Sequence, residues 1–71
     1  MTKEEIQKRL QANPFTPFKV KIAGGAEVIV PSRDHAHLHP TGRVMIVFLD
    51  QGGTEIIDVA LVSSLEIKEA A

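Results

Sequence analysis

Three histidines alternate through His35-Ala36-His37-Leu38-His39, and no other stretch of the chain gathers as much potential chemistry. On a strand, positions two apart share a face, so two of these imidazoles can share a metal ion and a third can complete a His₃ set. Three same-face positions on a straight strand, however, lie along a line, whereas a tetrahedral ion gathers its ligands around a point. The missing ligand would have to come from elsewhere, and Asp34 alternates to the opposite face. His35, His37 and His39 therefore read as solvent-facing side chains beside a turn, with Ala36 and Leu38 inward, and no metal site is expected.

Ser32, Asp34 and His35 offer the residue types of a hydrolytic triad. Such catalysis needs nucleophile, base and orienting acid to converge in space, with donors for an oxyanion. Near neighbours on one turn do not converge in this way, and no strand-to-helix elbow carries Ser32. The expectation is a polar turn whose short side chains cap backbone amides. Gly24-Gly25 and Gly52-Gly53 do not lead from a strand into a helix, which is what a phosphate loop requires. With no Cys in the chain, disulfides and thiolate metal sites are excluded. No catalytic or cofactor-binding residue is assigned, no cofactor is expected, and the chain is read as a protein without enzymatic activity.

The elements that must position these residues follow from size and periodicity. Seventy-one residues make one domain, residues 1–71, with eight basic and nine acidic side chains and a net charge of −1. A chain of this length buries only about 60% of its unfolded surface, so an oligomer interface or a very efficient core must supply the margin. The charge balance is not that of a nucleic-acid binder, and the lack of Trp and Tyr leaves three Phe for stacking. Lys19, Lys21, Arg33 and Arg43 read as the ordinary solvent face of strands; in a ring of subunits they would instead repeat as a basic surface. The opening Met1 to Glu5 has no apolar leader, and the longest apolar run, Val44 to Leu49, is too short to cross a bilayer. A cytoplasmic protein without a membrane partner is expected.

Thr2 and Glu5 form a capping box that predicts a helix from Thr2 or Lys3 to about Ala12, ended by Asn13-Pro14. Glu4–Lys8 and Glu5–Arg9 are spaced for ion pairs along it. Pro14-Phe15-Thr16-Pro17-Phe18 matches a PxxP ligand. Lying between two ordered elements, it reads instead as a rigid linker whose Phe residues pin helix to sheet. From Phe18 the apolar period becomes two. Phe18 to Ile22 and Ala26 to Val30 flank a Gly24-Gly25 turn, His35 to His39 reads as a short strand, and Pro40-Thr41-Gly42-Arg43 turns into Val44–Leu49. Asp50-Gln51-Gly52-Gly53 makes a hairpin loop before Thr54–Asp58; Asp58-Val59-Ala60-Leu61 reads as a single turn, and Ser63–Lys68 as the last strand.

The fold class is mainly β (α+β): an N-terminal helix, then a strongly bent antiparallel sheet of five strands, or a small barrel. The expected core is Phe18, Val20, Ile22, Val28, Val30, Leu38, Ile57, Leu65 and Ile67, joined by either Val44, Ile46 and Phe48 or Met45, Val47 and Leu49. Because Val44–Leu49 is apolar on both faces, its second face needs a cover. A homo-oligomer formed through this strand is therefore expected.

The element order resembles Sm-like and SH3-like small barrels. Pro14-Phe15-x-Pro17-Phe18, Gly24-Gly25, Arg33-Asp34-His35, Pro40-x-Gly42-Arg43 and Glu55-Ile56-Ile57-Asp58 together resemble a group of short uncharacterised bacterial proteins, in which the first hairpin more often carries Asp-Gly. That group implies the fold and no activity. The leading functional expectation is a protein–protein interaction module, with an Sm-like nucleic-acid-binding oligomer second and a metal-binding protein using the three histidines third.

Overall fold

A hydroxyl that can accept from an unpaired amide, with a carboxylate three positions on, starts the first element as expected. The computed structural model describes residues 1–67 and places a helix, α1, over Lys3–Leu10. The Glu5 amide donates to Thr2 Oγ1 at 3.3 Å, while the Thr2 amide and hydroxyl both donate to Glu5 Oε1, at 3.3 and 2.8 Å. Those bonds to Thr2 hold the Glu5 carboxyl below its ordinary value of 4.5. They also keep it from Arg9: neither expected pair along the helix occurs among the ion pairs of the described residues.

The helix stops at Leu10, short of the expected Ala12. Its last carbonyls are claimed from a distance. Arg33 Nε donates to Leu10 O at 2.8 Å and an Arg33 Nη donates to Ala12 O at 2.6 Å. The Arg33 guanidinium lies 5.7 Å from the Phe15 ring centre, and Phe15 meets Phe18 at 5.9 Å and 50°. The proline-flanked segment therefore does pin helix to sheet, with a cation layered on top.

Six strands follow rather than five: Phe18–Ile22 (β1), Glu27–Val30 (β2), Ala36–Leu38 (β3), Val44–Phe48 (β4), Thr54–Asp58 (β5) and Val62–Ile67 (β6). They form two antiparallel sheets of three, ordered β2-β1-β6 and β3-β4-β5. Among the described residues the two ladders do not join into a closed barrel. The expected continuous bent sheet is interrupted where Pro31, which cannot donate to a ladder, is followed by a 3₁₀ turn at Arg33–His35. The chain leaves one sheet there and enters the other. A second 3₁₀ turn, Val59–Leu61, precedes β6 as expected, with Asp58 Oδ1 accepting from the Ala60 amide at 2.9 Å. Lys68, the expected end of the last strand, lies outside the described residues.

One cluster fills the space between the sheets. Phe18, Val20, Val28, Val30 and Ile57 are buried as expected, and of the two alternatives on β4 it is Met45 and Val47 that face in. Ile22, Leu38, Leu49 and Leu65 pack at its margin. Ile67 does not: it is 41% exposed at the end of β6, where β1 covers only one flank. Ile6, Leu10, Ala36, Val59 and Val62 complete the cluster. The helix thus covers the same interior as Met45 and Val47, and the opposite face of β4 gets no help from it.

Two expectations test this framework. Replacing Thr2 by Ala should cost about 1 kcal/mol, the usual loss of an N-cap. A group with a lowered folded pKa contributes stability above its unfolded value and loses it as pH falls through the folded value. In the native protein the Glu5 carboxyl should therefore titrate below 4.5 by NMR and return towards 4.5 in Thr2→Ala, with the helix fraying on acidification. Gly42 has φ +78°, and a Cβ there would lie 2.6 Å from Lys3 Cβ and Cδ. Gly42→Ala should accordingly destabilise by more than about 1 kcal/mol in urea unfolding, since strain and overlap add.

Candidate functional site

The two sheets present very different outer surfaces. On the β2-β1-β6 sheet, Lys19 lies opposite Ile29 and Glu66, and Lys21 opposite Glu27 and Ser64. Lys19 reaches Glu27 at 3.5 Å and Lys21 reaches Glu66 at 3.2 Å. With Arg33 committed to the end of α1, three of the four cations of the expected basic face are held by acidic or carbonyl oxygens rather than gathered into one surface.

The β3-β4-β5 sheet turns out a different set. Alternation puts Val44, Ile46 and Phe48 of β4 outward, beside His37 of β3 and Thr54, Ile56 and Asp58 of β5. Ile46 stands directly between His37 and Ile56 in register. The His37 ring meets the Phe48 ring edge-on, with centres 5.9 Å apart. Phe48 is 44% exposed and Ile56 72% exposed, so the stripe they form with half-buried Ile46 is open to solvent. Its apolar character follows from β4 being apolar at every position while α1 covers only one side.

The histidines do not share a face. His35 belongs to the 3₁₀ turn, His37 to the outer surface of β3, and His39 to the β3–β4 hairpin. His39 Nδ1 accepts from the Thr41 amide at 3.1 Å, and the Thr41 hydroxyl lies 2.8 Å from the same nitrogen. Among the described residues no three His, Cys, Asp or Glu side chains are grouped to hold a metal ion.

His35 has the most connected ring. Ser32 Oγ lies 2.7 Å from His35 Nδ1, and Asp50 Oδ1 lies 2.7 Å from His35 Nε2. The expected capping of a backbone amide by Ser32 does not occur; the imidazole takes the hydroxyl instead. This Ser–His–Asp chain has the connectivity of a triad, with Asp50 in the place that the sequence reading considered for Asp34. Its setting is not that of a nucleophile. The adjoining cleft, about 410 Å³, is lined by Glu27, His35, Phe48, Asp50 and Glu55 among others, and Ser32 is not on its wall. The Asp50 side chain is itself 76% exposed, so water screens the charge it would lend to an imidazolium. The chain of bonds ties the turn after Pro31 to the β4–β5 loop. Position 50 was hidden in the sequence because it reads as loop, yet folding the Pro40–Gly42 hairpin with Ala36 opposite Val47 brings the end of β4 back alongside His35.

Comparison with protein-family models, with curated proteins and with solved structures finds no match to this chain.

The bonding fixes ring tautomers. With Nδ1 accepting from Ser32 and Nε2–H donating to Asp50, neutral His35 should be the Nε2–H form, and so should His39, whose Nδ1 takes an amide proton. Ring ¹⁵N shifts above pH 8 should show this for both residues. Asp50→Asn should weaken the preference at His35 alone while costing less than about 1 kcal/mol, as an exposed pair does.

Proposed function

We propose that this chain is a non-enzymatic protein–protein interaction module that works as a homo-oligomer, with the outer face of the β3-β4-β5 sheet as its contact surface. One observation carries the reading: Ile46, Phe48 and Ile56 form a continuous apolar stripe on a face that no element among the described residues covers. Scattered exposed apolar residues are ordinary, but a contiguous patch on a small protein marks a contact site. A 71-residue chain without disulfides gains stability from such a contact. The element order, with a helix first and a 3₁₀ turn before the last strand, is similar to Sm-like and SH3-like small barrels and supports a binding scaffold. No helix among the described residues is long and apolar enough to cross a membrane. The absence of Cys fits a reducing cytoplasm.

The alternative of an Sm-like nucleic-acid binder has less support. Three of its four basic residues are divided between ion pairs on one sheet and the end of α1.

The test uses the two faces of β4. Sedimentation equilibrium between about 10 and about 500 µM should show the native protein associating by mass action. Val44→Glu with Ile46→Lys, on the outer face, should keep a cooperative thermal transition and weaken association across that range. Met45→Glu with Val47→Lys should unfold the protein, because both side chains are fully buried. A native protein that stays monomeric throughout overturns self-association.

A further inference from the structure

The apolar stripe ends at a strand edge, and that edge has a definite hydrogen-bonding pattern. In an antiparallel pair, opposed residues alternate between those that exchange backbone bonds and those that do not. The Leu49 amide donates to Gly53 O at 2.8 Å, and the Val59 amide donates to Arg43 O at 2.9 Å. These bonds bracket the β4–β5 ladder and fix its phase. Glu55 and Ile57 turn their backbone groups towards Val47 and Met45; Thr54, Ile56 and Asp58 turn theirs away from β4. Among the described residues β5 has no other strand beside it. Its free edge therefore offers the amides of Thr54, Ile56 and Asp58 and the carbonyls of Thr54 and Ile56.

The other edges carry the devices that discourage strand addition. β3 is three residues long. β2 is four residues long and runs into Pro31. The outer face beside β2 and β6 is laid with Lys–Glu pairs. β5 has five residues, no Pro, Lys or Gly, and Ile56 at its centre, 72% exposed.

We propose that β5 pairs antiparallel with β5 of a second copy about a two-fold axis at Ile56, joining two three-stranded sheets into one of six strands. This rests on the interaction-module reading and goes beyond it: the contact is made by the edge of β5, and the outer face of the joined sheet stays open to the face contact proposed above. The sequence of β5 is self-complementary in that register. Ile56 meets Ile56 of the other copy and exchanges both backbone bonds with it. Thr54 falls opposite Asp58, a hydroxyl against a carboxylate, and Glu55 falls opposite Ile57. No two like charges are directly opposed, which is the arrangement cross-strand pairs favour. On the outer face the stripe becomes continuous through both copies, Ile46–Ile56–Ile56–Ile46, and the most exposed apolar side chain of the chain becomes the most central. A two-fold contact of this kind closes on itself and gives a dimer rather than an open fibre.

The experiment combines edge variants with amide exchange. Ile56→Pro removes the one amide at the axis while breaking no bond to β4, a place where Pro is tolerated. Ile56→Lys keeps the backbone and sets two cations against each other. Both variants should retain the native far-ultraviolet spectrum and raise the apparent dimer dissociation constant at least tenfold, about 1.4 kcal/mol. In the native protein, the Ile56 and Asp58 amides should exchange more slowly as concentration rises, while the Glu55 and Ile57 amides, already bonded to β4, should not change. A dimer in which Ile56→Pro associates as the native protein does, with Ile56 and Asp58 amides unprotected, overturns edge pairing but leaves the interaction-module reading intact. A native monomer at every concentration removes both.

Discussion

Two open three-stranded sheets leave a gap between them, and the fold depends on closing that gap with a helix of two turns. Ile6 is fully buried and Leu10 nearly so, and together they complete the cluster that Phe18, Met45 and Val47 begin. A helix this short does not hold itself together in water. It is fixed at one end by the Thr2–Glu5 box, at the other by Arg33 on its carbonyls, and along its flank by Lys3 Nζ donating to Pro40 O at 3.0 Å. Arg33 lies on the connection between the two sheets, and Pro40 on the β3–β4 hairpin. Each of these contacts is modest, and their joint effect is to set the spacing of the two sheets.

That constraint explains why the two outer surfaces differ. The helix can cover only one side of the interior, and β4 is apolar on both. The β2-β1-β6 sheet meets solvent with Lys and Glu in diagonal pairs. The β3-β4-β5 sheet meets it with Ile46, Phe48 and Ile56. The polar chemistry of the chain is used for cohesion. Ser32, His35 and Asp50 join a turn to a loop, His39 and Thr41 shape a hairpin, and Asp58 caps a 3₁₀ turn. The apolar side chains are what remain to face outward.

Elements with strong local signals were legible in the sequence. The capping box, the period-two run at Phe18–Ile22, the unbroken apolar run at Val44–Phe48 and the Gly turns all have local causes. The doubly apolar β4 announced that one of its faces would need a cover, although alternation alone could not say which face. What was not legible depends on distant pairing. His35, His37 and His39 look equivalent at two-residue spacing, but strand geometry begins only at Ala36, so His35 turns towards Asp50 instead of along the strand. The carbonyls at the end of the helix find their partner in Arg33, far away in the sequence. Ile67 alternates correctly for the core and pairs with Phe18, but it is the last residue of an edge strand and stays exposed. The solvent exposure of Ile56 had a signal that was available: Thr54-Glu55-Ile56-Ile57-Asp58 puts two Ile on opposite faces, and only one face leads inward.

The middle strand of one sheet is β1, and its two neighbours come from very different places along the chain. β2 follows at once through Gly24-Gly25, but β6 pairs Phe18 with Ile67. During synthesis the first hairpin therefore emerges with one flank of β1 bare and stays so until all the other strands have left the ribosome. The bare flank offers the backbone groups of Lys19 and Lys21, because the Ile22 amide donates to Ala26 O at 2.8 Å and so turns Phe18, Val20 and Ile22 towards β2. Partial chains of this protein are thus edge-exposed hairpins, and the cell must tolerate them for the whole interval in which the sheet waits for its third strand.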